Sequence, residues 1–290
     1  MAGSLRALSS GELLRQAVRT YRERFGLFVG IAAVPNMLEL ALRIAARVWG
    51  RDSKTGVPSS CLAPPASGSA VAHGFWVLTA AIVPIAVASL VTGATVRAVW
   101  DLRLGRAISI GASLRAIRGN TASIAFTSLW AALFAAIPVA VGGMLALLIT
   151  PLIGGCGRLP FGALALLLAL AGAAAGIRLA LEFAVAVPAL LIEGLGIFAA
   201  LRRSTELTEG CVGRVLVVAL LPATFGLTLW GLFSGLAVAV GGLHSSLVST
   251  SAAWAAIRAY AVGVLAMPMG AICASLLFFD LKARKEALGA

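Results

Sequence analysis

Apolar positions in this chain come in long unbroken runs, at 25–47, 74–97, 121–149, 162–187, 212–240 and 254–279, and polar positions gather between them. A bilayer core of roughly 30 Å takes about 20 apolar residues per helix, so the pattern predicts six transmembrane helices. Alternation with a period of two is absent, which argues against a barrel. Pro35, Pro84, Pro138, Pro222 and Pro268 fall inside predicted spans. Each frees a backbone carbonyl that a neighbour or water must satisfy. Such breaks line binding sites in transporters and are plain packing kinks elsewhere. Spread this evenly, they nominate no single hinge.

The polar stretches carry their own periodicity. Residues 1–24 hold an amphipathic helix over 9–24, with Ser9 and Glu12 at capping-box spacing. Leu13, Leu14, Ala17, Val18, Tyr21 and Phe25 form one stripe, and Arg15, Arg19, Arg22 and Arg24 take other faces. This predicts a helix in the membrane interface with its arginines at the headgroups; the plainer alternative is a solvated helix. Residues 50–70 are a loop rich in Pro, Gly and Ser, and 151–160 a tight hairpin with Gly154, Gly155 and Gly157. Residues 188–211 are expected to form a cytoplasmic elbow along the bilayer surface, and 280–290 a charged cytoplasmic tail.

Composition agrees. The chain of 290 residues is 60% hydrophobic and only 12% charged, about half the charged share of a soluble domain. The expectation is a single six-helix, all-α integral membrane domain over 1–290 with cytoplasmic amphipathic interfacial helices. Ala and Gly are abundant and aromatics make up 7%, which suits helices packed through small residues. Net charge is +12. Because the basic residues sit in short loops beside apolar runs, membrane orientation and anionic headgroups account for them, and no nucleic-acid motif appears. Sixteen Lys and Arg fall on one predicted side (the N-terminal segment, the 97–118 connection, the elbow and the tail), against Arg51, Lys54 and Arg158 on the other. The positive-inside rule then places both termini in the cytoplasm. The charged opening helix and the lack of an A-x-A site predict no cleaved secretory signal, so the expected location is a bacterial cytoplasmic (inner) membrane.

Each odd-numbered span follows a basic interfacial segment, and these segments look alike. Leu14-Arg15 after Gly11 matches Leu114-Arg115 after Gly111, and Leu201-Arg202 is a third instance. The pattern predicts three copies of one unit, an interfacial helix followed by a membrane hairpin. Chance recurrence in a low-complexity chain is the competing account.

The elbow and tail carry a family likeness. Pro188, Glu193, Gly196, Ala200-Leu201, Arg203-Ser204, Leu207, Gly210 and Arg214 resemble the elbow of the membrane domain associated with glycerophosphoryl diester phosphodiesterases. Phe279-Asp280-Leu281-Lys282-Ala283-Arg284-Lys285-Glu286 is similar to that family's C-terminal Y-D-L-R-x-R-K-E, with Phe for Tyr and Lys for the first Arg. The opening GELLRQAVRTYRERFG is similar as well. The resemblance implies six membrane helices, shared with stand-alone bacterial relatives of uncharacterised function. It implies no catalysis, since those phosphodiesterases hydrolyse through a separate soluble domain with histidines and a carboxylate-bound metal. Here His73 and His244 are both expected outside, with no carboxylate cluster near either.

Several groups could carry chemistry. Glu39 with Arg43, and Arg178 with Glu182, each share a helix face at i,i+4. Charge inside a bilayer is costly, so these groups form a candidate polar track for a substrate or proton, or else paired ions that align helices. Arg47 and Arg258 are expected near the outer surface, snorkelling. In the elbow, Glu193, Arg202, Arg203 and Ser204 are candidates for binding a headgroup phosphate or a protein partner; capping and stapling the helix is the alternative. Cys61 and Cys156 fall in different outer loops where a disulfide is open to them. Cys211 is expected on the cytoplasmic side and Cys273 within the sixth span. Ligand spacing for zinc and a phosphate-binding glycine loop are both absent, so no cofactor and no metal is expected. The leading expectation is a non-enzymatic scaffold or accessory factor in envelope or lipid homeostasis, with membrane lipids and a protein partner or second copy as its contacts. A transporter or channel using the intramembrane charges is the alternative. A lipid-headgroup enzyme ranks third, for want of a convergent acid, base or nucleophile set.

Overall fold

The computed structural model describes residues 9–49, 70–149, 158–243 and 251–288. Among the described residues there is no strand, and the helices are α1 (Ser10–Glu23), α2 (Phe25–Trp49), α3 (Ala70–Arg103), α4 (Ile110–Ala116), α5 (Thr121–Ile149), α6 (Arg158–Glu182), α7 (Ala186–Glu193), α8 (Ile197–Thr208), α9 (Val212–Leu243) and α10 (Ser251–Leu288). Among them, six stretches are long and apolar enough to cross a membrane: Phe25–Leu42, Ile82–Arg103, Ile110–Ile149, Gly162–Glu193, Val212–Leu236 and Ile257–Ala287. The expected all-α, multi-pass character is therefore present. The helices outrun the apolar runs at several ends. α10 continues through the charged segment to Leu288, because Asp280 with Arg284 and Lys282 with Glu286 pair at i,i+4 and support another two turns of helix.

Contacts divide the chain into two compact units. Among the described residues, one is drawn from Ala122–Val217 and Leu277–Ala290 and the other from Leu8–Thr121 and Val218–Leu276.

In the first unit, α5 and α6 approach backbone to backbone. A Cβ added at Gly172 would lie 2.5 Å from the Pro138 carbonyl oxygen, one at Gly142 2.6 Å from the Leu168 oxygen, and one at Gly176 2.6 Å from the Ala135 oxygen. Glycine is required at all three, and the hairpin holds by close packing of small residues. The outer faces of these helices are bare: Leu147, Leu148, Leu166 and Leu167 are each largely exposed. Apolar surface on that scale is unfavourable in water, at about 25 cal/mol per Å², and at home against lipid.

The second unit has a core of Ala32, Val87, Val91 and Val264, with Val29, Val83, Tyr260 and Met267 packed on it. Tyr21 on α1 joins an aromatic group with Phe25, Phe28 and Phe225. Its hydroxyl donates to the Leu265 carbonyl at 2.9 Å, close to the opening that Pro268 makes in α10. Satisfying backbone near a proline break is what allows such helices to persist in lipid.

The helices α1, α4 and α8 share a register. Counted from their Leu-Arg pairs, their N-caps fall at one position: Ser9, Ser109 and Gly196. The Ser9 and Ser109 hydroxyls accept from the Glu12 and Ala112 N–H groups, each at 3.2 Å. Arg15 and Arg115 both donate back to a glycine carbonyl, of Gly11 and Gly111. The buried stripes also correspond: Leu13, Ala17 and Tyr21; Ser113 and Ile117; Ala200, Ser204 and Thr208. Phe28 with Ile31, and Val215 with Val218, are buried at matching places in the helices that follow α1 and α8. Ile124 and Thr127 do the same one turn earlier after α4. Pro35 and Pro222 match in the same register.

Candidate functional site

The elbow begins with a break in a membrane helix. α6 stops at Glu182, and α7 restarts at Ala186, where the Ala186 N–H turns back to the Phe183 carbonyl. Pro188 causes the interruption locally, because its ring crowds the carbonyl four residues earlier. Glu182 is left with a carbonyl oxygen that no helical N–H takes. The Ser204 hydroxyl donates to it at 2.6 Å; the Thr208 hydroxyl stands 3.3 Å from it, with a nearer acceptor in the Ser204 carbonyl at 2.9 Å. Both hydroxyls belong to the buried stripe of α8. Gly194 (φ +66°) ends α7 and Gly210 (φ +78°) ends the turn after α8, left-handed positions that favour glycine.

Two carboxylates then tie the elbow to the end of α10. Glu193 accepts from Arg203 Nε through Oε2 at 3.2 Å and from Lys282 Nζ through Oε1 at 2.9 Å, so each oxygen has one cation. Asp280, its side chain only 1% exposed, lies 3.0 Å from both Arg214 Nε and Arg284 Nε. Asp280 has two cations around it, whereas the Glu193 group extends to two more carboxylates, Glu206 at 3.7 Å from Arg203 and Glu286 at 3.9 Å from Lys282. Around them, Arg202 pairs with Glu206 at 3.1 Å while remaining 84% exposed. The elbow residues foreseen from the sequence thus divide into three roles. Glu193 and Arg203 meet in an ion pair, Ser204 satisfies backbone, and Arg202 faces outward. Sequence reasoning passed over Asp280, Arg214 and Lys282 as site members, although all three stand in the segments that carry the family likeness.

No protein-family model, curated protein or solved structure matches this chain. What the site can do rests on its own geometry.

The candidate polar track resolves unevenly. Arg178 and Glu182 pair at 3.0 Å, with Arg178 74% exposed on the side of α6 and Glu182 largely covered. They lie in the last turn before the helix break, where a long arginine reaches an interface. Glu39 is buried in α2, one turn beyond buried Asn36; the side chain of Arg43 lies outside the described residues. The Asn36 amide donates to the Ala32 carbonyl at 2.8 Å. Its Oδ1 sits against Gly263, where an added Cβ would come within 2.5 Å of it. Arg258 donates to the Ser234 hydroxyl at 2.8 Å and lies 5.0 Å from the centre of the Trp230 ring, a cation–π arrangement. Cys61, Cys156 and His244 fall outside the described residues, as does the side chain of His73. Cys211 and Cys273 are free thiols.

Burial pushes the Tyr21 phenol from its ordinary 10.0 up to about 12. It therefore remains a hydroxyl donor to Leu265 throughout the neutral and mildly alkaline range.

Proposed function

We propose that this chain is a non-enzymatic, multi-pass protein of a bacterial cytoplasmic (inner) membrane, with both termini inside, acting as a scaffold or accessory factor in envelope or lipid homeostasis. Its elbow is the partner- and lipid-facing surface. One observation carries the reading: the residues that give the elbow and tail their likeness to the phosphodiesterase-associated membrane domain meet one another as the Glu193 and Asp280 ion clusters. Charged groups used in this way brace a surface. Their carboxylates are occupied by fixed cations, while Arg202 is left pointing outward. The matching caps and buried stripes of α1, α4 and α8 support a threefold repeat of interfacial helix plus hairpin, and the excess of cations on these segments supports their cytoplasmic placement. Reporter fusions after Arg203 and at the C-terminus test the topology; a periplasmic signal at either overturns it. Crosslinking in cells then compares wild type with an Arg202→Glu/Arg203→Glu variant. Loss of a discrete crosslinked partner, with the protein still membrane-inserted, is the expected result.

A transporter is the second reading, favoured by buried Asn36 and Glu39 on one side of α2 and by Arg258 held between Ser234 and Trp230. Under it, Glu39→Gln abolishes solute flux in proteoliposomes and leaves the fold intact. Under the scaffold reading the same change lowers stability and moves no flux.

A further inference from the structure

One side of α1 has a use that the elbow reading does not assign. An open depression of about 630 Å³ runs along it, lined by Leu14, Arg15, Val18, Arg19, Arg22 and Glu23. Its floor is apolar and half-buried at Leu14 and Val18, and its rim is basic. Glu23 accepts from Arg19 Nε within hydrogen-bonding distance, so the rim's only carboxylate is neutralised and the arginines leave the groove net positive. Arg24 closes α1, and the membrane-crossing stretch Phe25–Leu42 begins at the next residue. At about 1.5 Å per residue along a helix, Arg22 lies about 5 Å and Arg15 about 15 Å from the start of that stretch, so the groove adjoins it.

We propose that this groove holds one anionic phospholipid. Arg15 and Arg22 engage the headgroup phosphate, and Leu14 and Val18 receive the first methylenes of an acyl chain. Charge selects an anionic headgroup over a zwitterionic one, and the apolar floor selects a lipid over free phosphate. Guanidinium is suited to the task because its fixed fork of donors matches phosphate oxygens. The opposite face of α1 is already taken, with Leu13, Ala17 and Tyr21 buried against the unit, so a bound lipid would not compete with the packing that holds the helix.

The proposal rests on the chain being a membrane protein and not on what the elbow recruits. Its test is native mass spectrometry of the full chain in detergent with phosphatidylglycerol, phosphatidylcholine or glycerol phosphate added. Wild type is expected to retain one phosphatidylglycerol and to hold neither of the others. Arg15→Gln/Arg22→Gln should weaken that retention about 20- to 30-fold, from two lost cation–anion attractions. Leu14→Asn/Val18→Asn should weaken it too. Equal retention of phosphatidylcholine, or undiminished phosphatidylglycerol in the arginine variant, overturns the proposal. A photoactivatable phosphatidylglycerol on unmodified protein serves as a measurement that needs no variant: adducts on residues 14–23 support the site, and adducts elsewhere alone refute it. Lipid retention with the elbow phenotype lost, or lost retention with the elbow phenotype intact, separates this site from the scaffold reading.

Discussion

The hydroxyl of Ser204 donates to the backbone carbonyl of Glu182 across 2.6 Å, joining α8 to the last residue of a broken membrane helix. A carbonyl freed in an apolar setting is costly unless it finds a donor. The break in α6 and the hydroxyl face of α8 are thus one feature. Ser204→Ala should cost about 0.5–1.5 kcal/mol, since Thr208 still reaches the same oxygen. Ser204→Ala/Thr208→Val removes both donors and should cost more than the two single changes summed. Reversible unfolding in mixed micelles measures all three.

Asp280 is the strongest single dependency in the elbow. Replacing it with Asn leaves Arg214, itself mostly buried, without its carboxylate partner. Breaking a buried pair from one side costs about 3 kcal/mol or more, so Asp280→Asn should sharply lower the yield of folded protein and its melting temperature. Arg202→Ala, at an exposed i,i+4 pair, should change stability by less than about 0.5 kcal/mol.

The α5–α6 hairpin gives a test with an internal control. Gly172→Ala drives a methyl into the Pro138 carbonyl and Gly142→Ala one into the Leu168 carbonyl; overpacking of this kind costs about 1–3 kcal/mol. Gly143 meets nothing within 4 Å. Gly143→Ala, next to Gly142 in sequence, should be neutral or slightly stabilising, because alanine is the better helix former. Thermal unfolding of the three variants decides the matter.

Tyr21 makes a prediction about pH. Its phenol is raised in the folded chain from 10.0 to about 12, so the folded state holds the proton more tightly than the unfolded state does. The stabilisation is fully present below pH 10 and is lost as pH rises towards 12. Tyr21→Phe should lower stability by about 0.5–1.5 kcal/mol at neutral pH through loss of the bond to Leu265. It should also remove part of the alkaline decline. Parallel unfolding series of both proteins between pH 8 and 12 make the comparison.

The sequence disclosed the spans because hydropathy is a local property, summed over about the 20 residues that one membrane-crossing helix needs. It disclosed the Arg178–Glu182 pair for the same reason, as a neighbour relation along one helix. The apolar run to residue 187 concealed the break after Glu182. Nothing within that run interrupts it, and the interruption depends on Pro188 acting backwards and on hydroxyls supplied by α8. The Glu193–Lys282 contact spans 89 residues and leaves no periodic trace. Arg214 and Asp280 were visible only as parts of a family likeness, which marks residues without saying that they touch. The shared register of α1, α4 and α8 was half legible: Leu-Arg pairs stood out, while the cap positions and buried stripes emerged only with coordinates.

Glu193 leaves the ribosome 89 residues ahead of Lys282, and Arg214 66 residues ahead of Asp280. Through the synthesis of two further spans, the nascent elbow has Arg203 as the only one of Glu193's two cations yet made. Bracing is therefore a late event in biogenesis, completed only when α10 docks. Nonsense or frameshift lesions at the codons of Asp280 to Lys282 would strike the elbow, although their sequence lies far from it.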